Sequence, residues 1–283
     1  LGLSVFMVAF LYVPSVAAQD KIYIREDGSV EGTNSIHQDG DVYTLLGNIF
    51  DKGLVVEKSD IVIDGNGHTV STPPAVDGYN IVLTQLNNVT IRGLVIKDGY
   101  IGIFIEDCTR VTVSGNNVSI GDPNFFYIAA AIRLEGGGFH TIIDNTITDS
   151  QVGIWITESS HNNKIYHNNF LNNKYSVFGA EEATSVTQWD NGYPSGGNHW
   201  DNYDGVDIYS GVYQNETGSD GISDTPYIFV VENETLFADK YPLMETVPVI
   251  PEFQPWMIVP LFAVSTGFLL FVKKRKFGTS RND

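Results

Sequence analysis

A chain of 283 residues with 42% hydrophobic residues, 28 glycines and one cysteine can bury a long core as one domain without disulfides. Its 34 acidic residues against 16 basic ones give a net charge of −18, which argues against nucleic acid as a partner, because a phosphate backbone is met by a basic surface. No motif calls for a cofactor, and calcium is the one ion for which a loop pattern exists.

The chain opens on an apolar run, Leu3 to Val16, that ends in "SVAAQ", the pattern of a signal peptide spanning residues 1–18 and cut after Ala18. Residues 19–52 are expected to cap the repeats that begin at residue 53.

From residue 53 to 180 the chain repeats. A pattern of apolar, any, small or polar, two mostly polar residues and an apolar one occurs at Ile91–Ile96, Val113–Val118, Ile142–Ile147 and Ile165–Phe170, in steps of 22, 29 and 23. A second motif, apolar-any-apolar, keeps phase with it at Ile81–Leu83, Ile103–Ile105, Ile132–Leu134 and Ile154–Ile156. Two motifs with one period of about 22 residues mean a stacked array. The seven-residue excess falls at "GDPNFFY", a turn-forming insertion after Ile120.

The segments are short, alternate in polarity and are rich in Val, Ile and Thr, so they read as strands and not as helical repeats. Stacking equivalent strands gives an all-β, single-stranded parallel β-helix, expected to be right-handed because parallel crossovers overwhelmingly are. Val111, Val113 and Val118 then face the core, while Gly115 and Asn116 turn the chain. Asn116, Asn145 and Asn168 share one register and read as a structural turn ladder. Cys108 reads as a small buried residue, since no His and Asp motif surrounds it.

Residues on the outward side of the second motif form two columns, Val82-Phe104-Arg133-Trp155 and Thr84-Glu106-Glu135-Thr157. Phe104, Glu106, Arg133, Glu135 and Trp155 are expected to form one exposed patch, a candidate sugar-binding face: rings stack on sugar CH faces and charges bond hydroxyls. The plainer alternative is that the insertion packs over these aromatics. Glu106 and Glu135, on adjacent coils, also have the spacing of a retaining glycosidase pair, so a polysaccharide hydrolase or lyase is a second reading.

Residues 181–250 are loop-rich and close the coils. Within them Glu216, Asp220 and Asp224 fall at three positions of a calcium loop whose third position is Gly218, with an acidic turn as the alternative. Sequons place glycosylation at Asn88, Asn117, Asn215 and Asn233. After a linker at 251–255, residues 256–272 are uncharged and are followed by "KKRK", the pattern of a transmembrane helix with the tail 273–283 inside. The part outside then holds 11 basic and 33 acidic residues, a net −22, so a polyanionic polysaccharide would be repelled.

The coil pattern, the lead-in "IYIREDGSVEGTNSIHQDGDVYTL", the "IVIDGNGHTV" at Ile61 and the closing "WDNGYPSGGNHWDNY…DGISDTPY…DKYPL" resemble archaeal surface proteins that carry the NosD-type, or carbohydrate-binding and sugar hydrolase, β-helix domain. The "PEF" at Pro251 to Phe253 is similar to archaeal sorting signals. The resemblance implies a right-handed β-helix outside the cell and, by family name, a copper-related accessory role. Copper wants Met, Cys or imidazole. Met7, Met244 and Met257 all lie outside the coils, Cys108 is alone, and of six histidines only His161 and His167 are near each other in sequence. The reading is a monomeric, membrane-anchored surface β-helix whose partner is a polysaccharide or cell-envelope glycan.

Overall fold

The computed structural model describes residues 21–74, 78–121, 128–157, 159–179, 187–230 and 236–248. Because apolar side chains alternate along each short segment, every segment has one face to bury, and the way to bury all of them is to stack equivalent segments. Three sheets result, one of eight strands (sheet A) and two of seven (sheets B and C), and each full coil contributes one strand to each. The stacking between coils is parallel throughout, as the spacing predicts.

The register is that of the repeat. Ile81, Ile103, Ile132, Ile154 and Val177 form one buried column in sheet A. Ile63, Ile91, Val113, Ile142 and Ile165 form another in sheet B. Val70, Ile96, Val118, Ile147 and Phe170 form the third in sheet C, which Trp200 extends by one coil. Each such side chain contributes roughly 1.5–3 kcal/mol by leaving water. Cys108 belongs to this interior and is fully buried, where desolvation raises its thiol above its ordinary range.

The corner between sheets B and C explains "SGNNV". Gly93, Gly115, Asp144 and His167 occupy equivalent places there with φ of 63°, 62°, 57° and 56°, the left-handed conformation that turns the chain. The residue after each of the last three is the buried Asn116, Asn145 or Asn168. Asn116 Nδ2 donates to Asn145 Oδ1 (3.0 Å) and Asn145 Nδ2 to Asn168 Oδ1 (2.9 Å). Asn168 Nδ2 donates in turn to Asn198 Oδ1 (3.0 Å), a fourth rung. These amides also accept backbone N–H groups from the preceding coil, so the buried polar atoms at this corner find partners within the ladder.

The coils run beyond both ends of the expected 53–180. Upstream, Ile22–Ile24 pairs in parallel with Leu54–Val56, so residues read as a cap already form a coil, flanked by antiparallel pairs. Downstream, His199–Trp200 pairs in parallel with Asn169–Leu171. Trp200 then ends the core: its ring stacks on Phe170 at 4.3 Å and on Tyr227 at 4.5 Å. The buried carboxylate of Asp239, from the "DKYPL" stretch, accepts from Trp200 Nε1 (3.0 Å) and from the backbone N–H of Asn198 (2.7 Å), so it terminates the asparagine ladder. A Cβ at Gly197 would lie 1.9 Å from Asp239 Oδ1, which is why glycine stands there.

The signal segment 1–18, residues 122–127 of the insertion, the linker, the span expected at 256–272 and the tail lie outside the described residues. Among the described residues no helix is long and apolar enough to cross a membrane.

Candidate functional site

On sheet A the register places the outward residues in rows that cross the strands. Phe104 pairs with Arg133 and Arg133 with Trp155, and Glu106 pairs with Glu135. All five residues therefore share one face, as the alternation predicts. The patch is not exposed as expected: all five residues are half-buried, and Phe104 and Trp155 pack against the core and around Arg133. The Arg133 guanidinium lies 4.3 Å from the Trp155 ring centre and 5.5 Å from that of Phe104, and it pairs with Glu135 at 2.5 Å. A cation over an aromatic face is attracted by the ring quadrupole, so Arg133 and the two rings hold each other in place. Its Nε is buried with no hydrogen-bond partner among the described residues, a donor left over by this arrangement.

The row is longer than the four positions of the sequence pattern. Phe178 follows Trp155 one coil on and meets it edge to face at 5.6 Å, while Tyr79 stacks on Phe104 at 5.4 Å. The step from Trp155 to Phe178 is one further repeat, a signal present in "YSVFG"; Tyr79 lies outside the motif and no spacing points to it. The result is an aromatic strip of Tyr79, Phe104, Trp155 and Phe178 with a guanidinium set into its middle.

The two carboxylates differ in engagement. Glu135 is clamped by Arg133, whereas Glu106 accepts from Thr84 Oγ1 (3.2 Å) and, among the described residues, meets no cation. Strip and carboxylates together bring half-buried rings, carboxylate acceptors and one guanidinium to one face.

The calcium reading does not fare the same way. Among the described residues no three His, Cys, Asp or Glu side chains gather so as to hold a metal ion, and Glu216, Asp220 and Asp224 are not brought together. Asp224 accepts the backbone N–H groups of Ile208 and Tyr209, Asp207 those of Asp220 and Gly221, and Asp220 that of Ile222. These are the bonds of an acidic turn, which the alternation of ligand-like residues imitates in sequence.

Three of the sequon asparagines, Asn88, Asn117 and Asn215, are exposed, and none of them lies on sheet A; Asn233 is outside the described residues. His161 and His167 serve different places: the His161 ring meets Phe139 edge on, and His167 Nε2 bonds the Ser195 carbonyl at 2.7 Å. His140 is fully buried, and its Nδ1 accepts the backbone N–H of Val111.

A family model described as "Periplasmic copper-binding protein (NosD)" matches residues 15–205, more than half of the chain, and the chain belongs to that family. No curated protein and no solved structure matches. The residues described do not fit a copper centre of their own: the one cysteine is buried with a raised pKa, His140 is occupied by the backbone, and no cluster of three ligating side chains exists among them.

Proposed function

We propose that this member of the NosD family is a β-helix protein working outside the cytoplasm that binds a glycan along the outer face of sheet A. The observation that carries the reading is the strip of Phe104, Trp155 and Phe178 built around Arg133, with Glu106 and Glu135 in the row beside it. Such a face repeats coil by coil, which suits a ligand that is itself a linear repeat. The anchor at residues 256–272 and glycans at Asn88, Asn117, Asn215 and Asn233 complete this reading: the sequon positions that are described leave sheet A clear.

A catalytic reading rests on one fact, the pairing of Glu106 with Glu135 across adjacent strands. It assigns hydrolysis or lyase chemistry to the same face and predicts release of reducing ends that Glu106→Gln abolishes.

A glycan array probed with the full chain tests the binding reading. Wild-type protein is expected to bind a defined set of oligosaccharides, and Trp155→Ala to weaken that binding about tenfold, the loss of one stacking ring. Array signals unchanged by Trp155→Ala would remove the sheet A face from the account.

A further inference from the structure

At the corner between sheets B and C, the slot that Gly93 and Gly115 fill in two coils is filled by Asp144 and His167 in the next two, with the same left-handed φ. A side chain at that angle carries a conformational cost that glycine avoids. Both side chains are half-buried on the outside of the corner, where the loop 190–197 meets them: the His167 backbone N–H bonds the Gly197 carbonyl at 2.7 Å. The loop is pinned in its own right. The Gly196 N–H donates to the Gly192 carbonyl, the Asn191 N–H to the Gly196 carbonyl and the Gly197 N–H to the Tyr241 carbonyl, while Asp190 Oδ1 accepts the Gly192 N–H.

This brings a hydroxyl to one nitrogen of an imidazole whose other nitrogen faces a carboxylate. Asp144 Oδ1 lies 3.7 Å from His167 Nδ1, and Ser195 Oγ lies 3.2 Å from His167 Nε2. The Ser195 carbonyl is 2.7 Å from the same Nε2, and Asn191 Nδ2 donates to Ser195 Oγ at 3.0 Å. The Tyr166 ring meets the imidazole edge to face at 5.0 Å and fixes its plane. Ser195 is half-buried, as Asp144 and His167 are, so solvent reaches the group.

The geometry points to a second functional site, in which Ser195 is a nucleophile that hydrolyses carboxylic esters of small acyl groups. Asp144 holds the imidazole proton on Nδ1, which leaves the Nε2 lone pair for the hydroxyl proton. Ser195 Oγ adds to the ester carbonyl carbon as its proton passes to Nε2, and the carbonyl electron pair moves onto oxygen, beside the Asn191 amide donor. The tetrahedral adduct then reforms the carbonyl and breaks the bond to the alcohol, which leaves with the proton from Nε2. Water repeats the two steps on the acyl-serine, releasing the carboxylic acid and returning the proton to Oγ. With the ring doubly protonated, Nδ1–H faces Asp144 and Nε2–H faces the Ser195 carbonyl, so the surroundings favour the imidazolium that forms on the way to the adduct. Asn191 is the one side-chain donor on Ser195 Oγ among the described residues, and limited oxyanion support suits an ester, whose alcohol leaves more readily than an amine.

Two probes of the full chain test this: diisopropyl fluorophosphate, which a nucleophilic serine attacks with loss of fluoride, and p-nitrophenyl acetate. Peptide mass spectrometry of the wild type is expected to find the phosphoryl adduct on Ser195, a readout that needs no variant to fold. Ser195→Ala should lose the adduct and bring ester turnover to background, and His167→Gln should lower turnover by about 10²–10⁴-fold. Asn191→Ala and Asp144→Asn should lower kcat with KM little changed, the former about 10²-fold. No adduct on Ser195, an adduct elsewhere, turnover that persists in Ser195→Ala, or labelling without turnover overturns the proposal. The glycan reading stands on sheet A and is untouched by any of these results.

Discussion

Asp239 shows how a single buried group sets a pH response at the closing end of the coils. Burial pushes its carboxyl from 3.8 up to about 7, while donors from Asn198, Trp200 and Tyr241 pull the other way. A carboxyl raised in the folded state lends stability that is complete below its unfolded value of 3.8 and is lost as pH rises through about 7. A shift of this size is worth a few kcal/mol, on the order of 1.4 per unit. His140 has the opposite sense: burial lowers its imidazole to about 4, so the stability it lends is held above 6.5 and lost as pH falls through about 4. Between about pH 4 and 6.5 the two contributions oppose each other, so denaturant unfolding of the wild type should show stability nearly level there and falling only from about pH 6.5 to about 7. Asp239→Asn keeps only the His140 contribution and should gain stability as pH rises from about 4 to 6.5, and equal slopes in the two proteins would show that Asp239 does not titrate in this window.

At the scale of elements, the asparagine ladder makes one corner of the solenoid a continuous polar seam inside an apolar core. Asn145 Oδ1 accepts the Asn116 N–H, and Asn145 Nδ2 donates to the Val113 and Ile143 carbonyls. Asn145→Ala leaves these groups buried without partners and should destabilise the chain by roughly 2–4 kcal/mol in urea unfolding. Asn117→Ala, one residue from the Asn116 rung but exposed in sheet C, should change stability by no more than about 0.5 kcal/mol. Asn116, Asn145 and Asn168 are legible in the sequence because one chemistry recurs at a fixed step, and so are the buried columns. Asn198 and Asp239 are not: the ladder reaches them across the closing loops, 30 and then 41 residues on, where no period applies. The coil at Ile22–Ile24 is hidden for a similar reason, since antiparallel pairs interrupt the repeat around it. For the face of sheet A, parity along the strand tells which residues point outward. It does not tell that Arg133 takes Glu135 and leaves Glu106 without a cation, because that depends on side-chain conformations. The acidic turn around Asp224 misleads because ligand-like spacing and turn chemistry use the same residues.

Over the whole molecule the acidic surface and the aromatic strip point the same way. A chain of net charge −18 repels polyanions, so on the proposed reading the ligand of a long face lined with carboxylates is a neutral or cationic polymer. The family description names copper, yet the described residues bring no set of soft or imidazole ligands together, and what the fold does present is a linear surface about six coils long. The most direct measurement is a crystal structure of the full chain with the tightest-binding hexasaccharide. The sugar is expected on the outer face of sheet A, parallel to the coil axis and against Phe104 and Trp155. A sugar bound on sheet B, on sheet C or in the closing region, with the sheet A face empty, would contradict it.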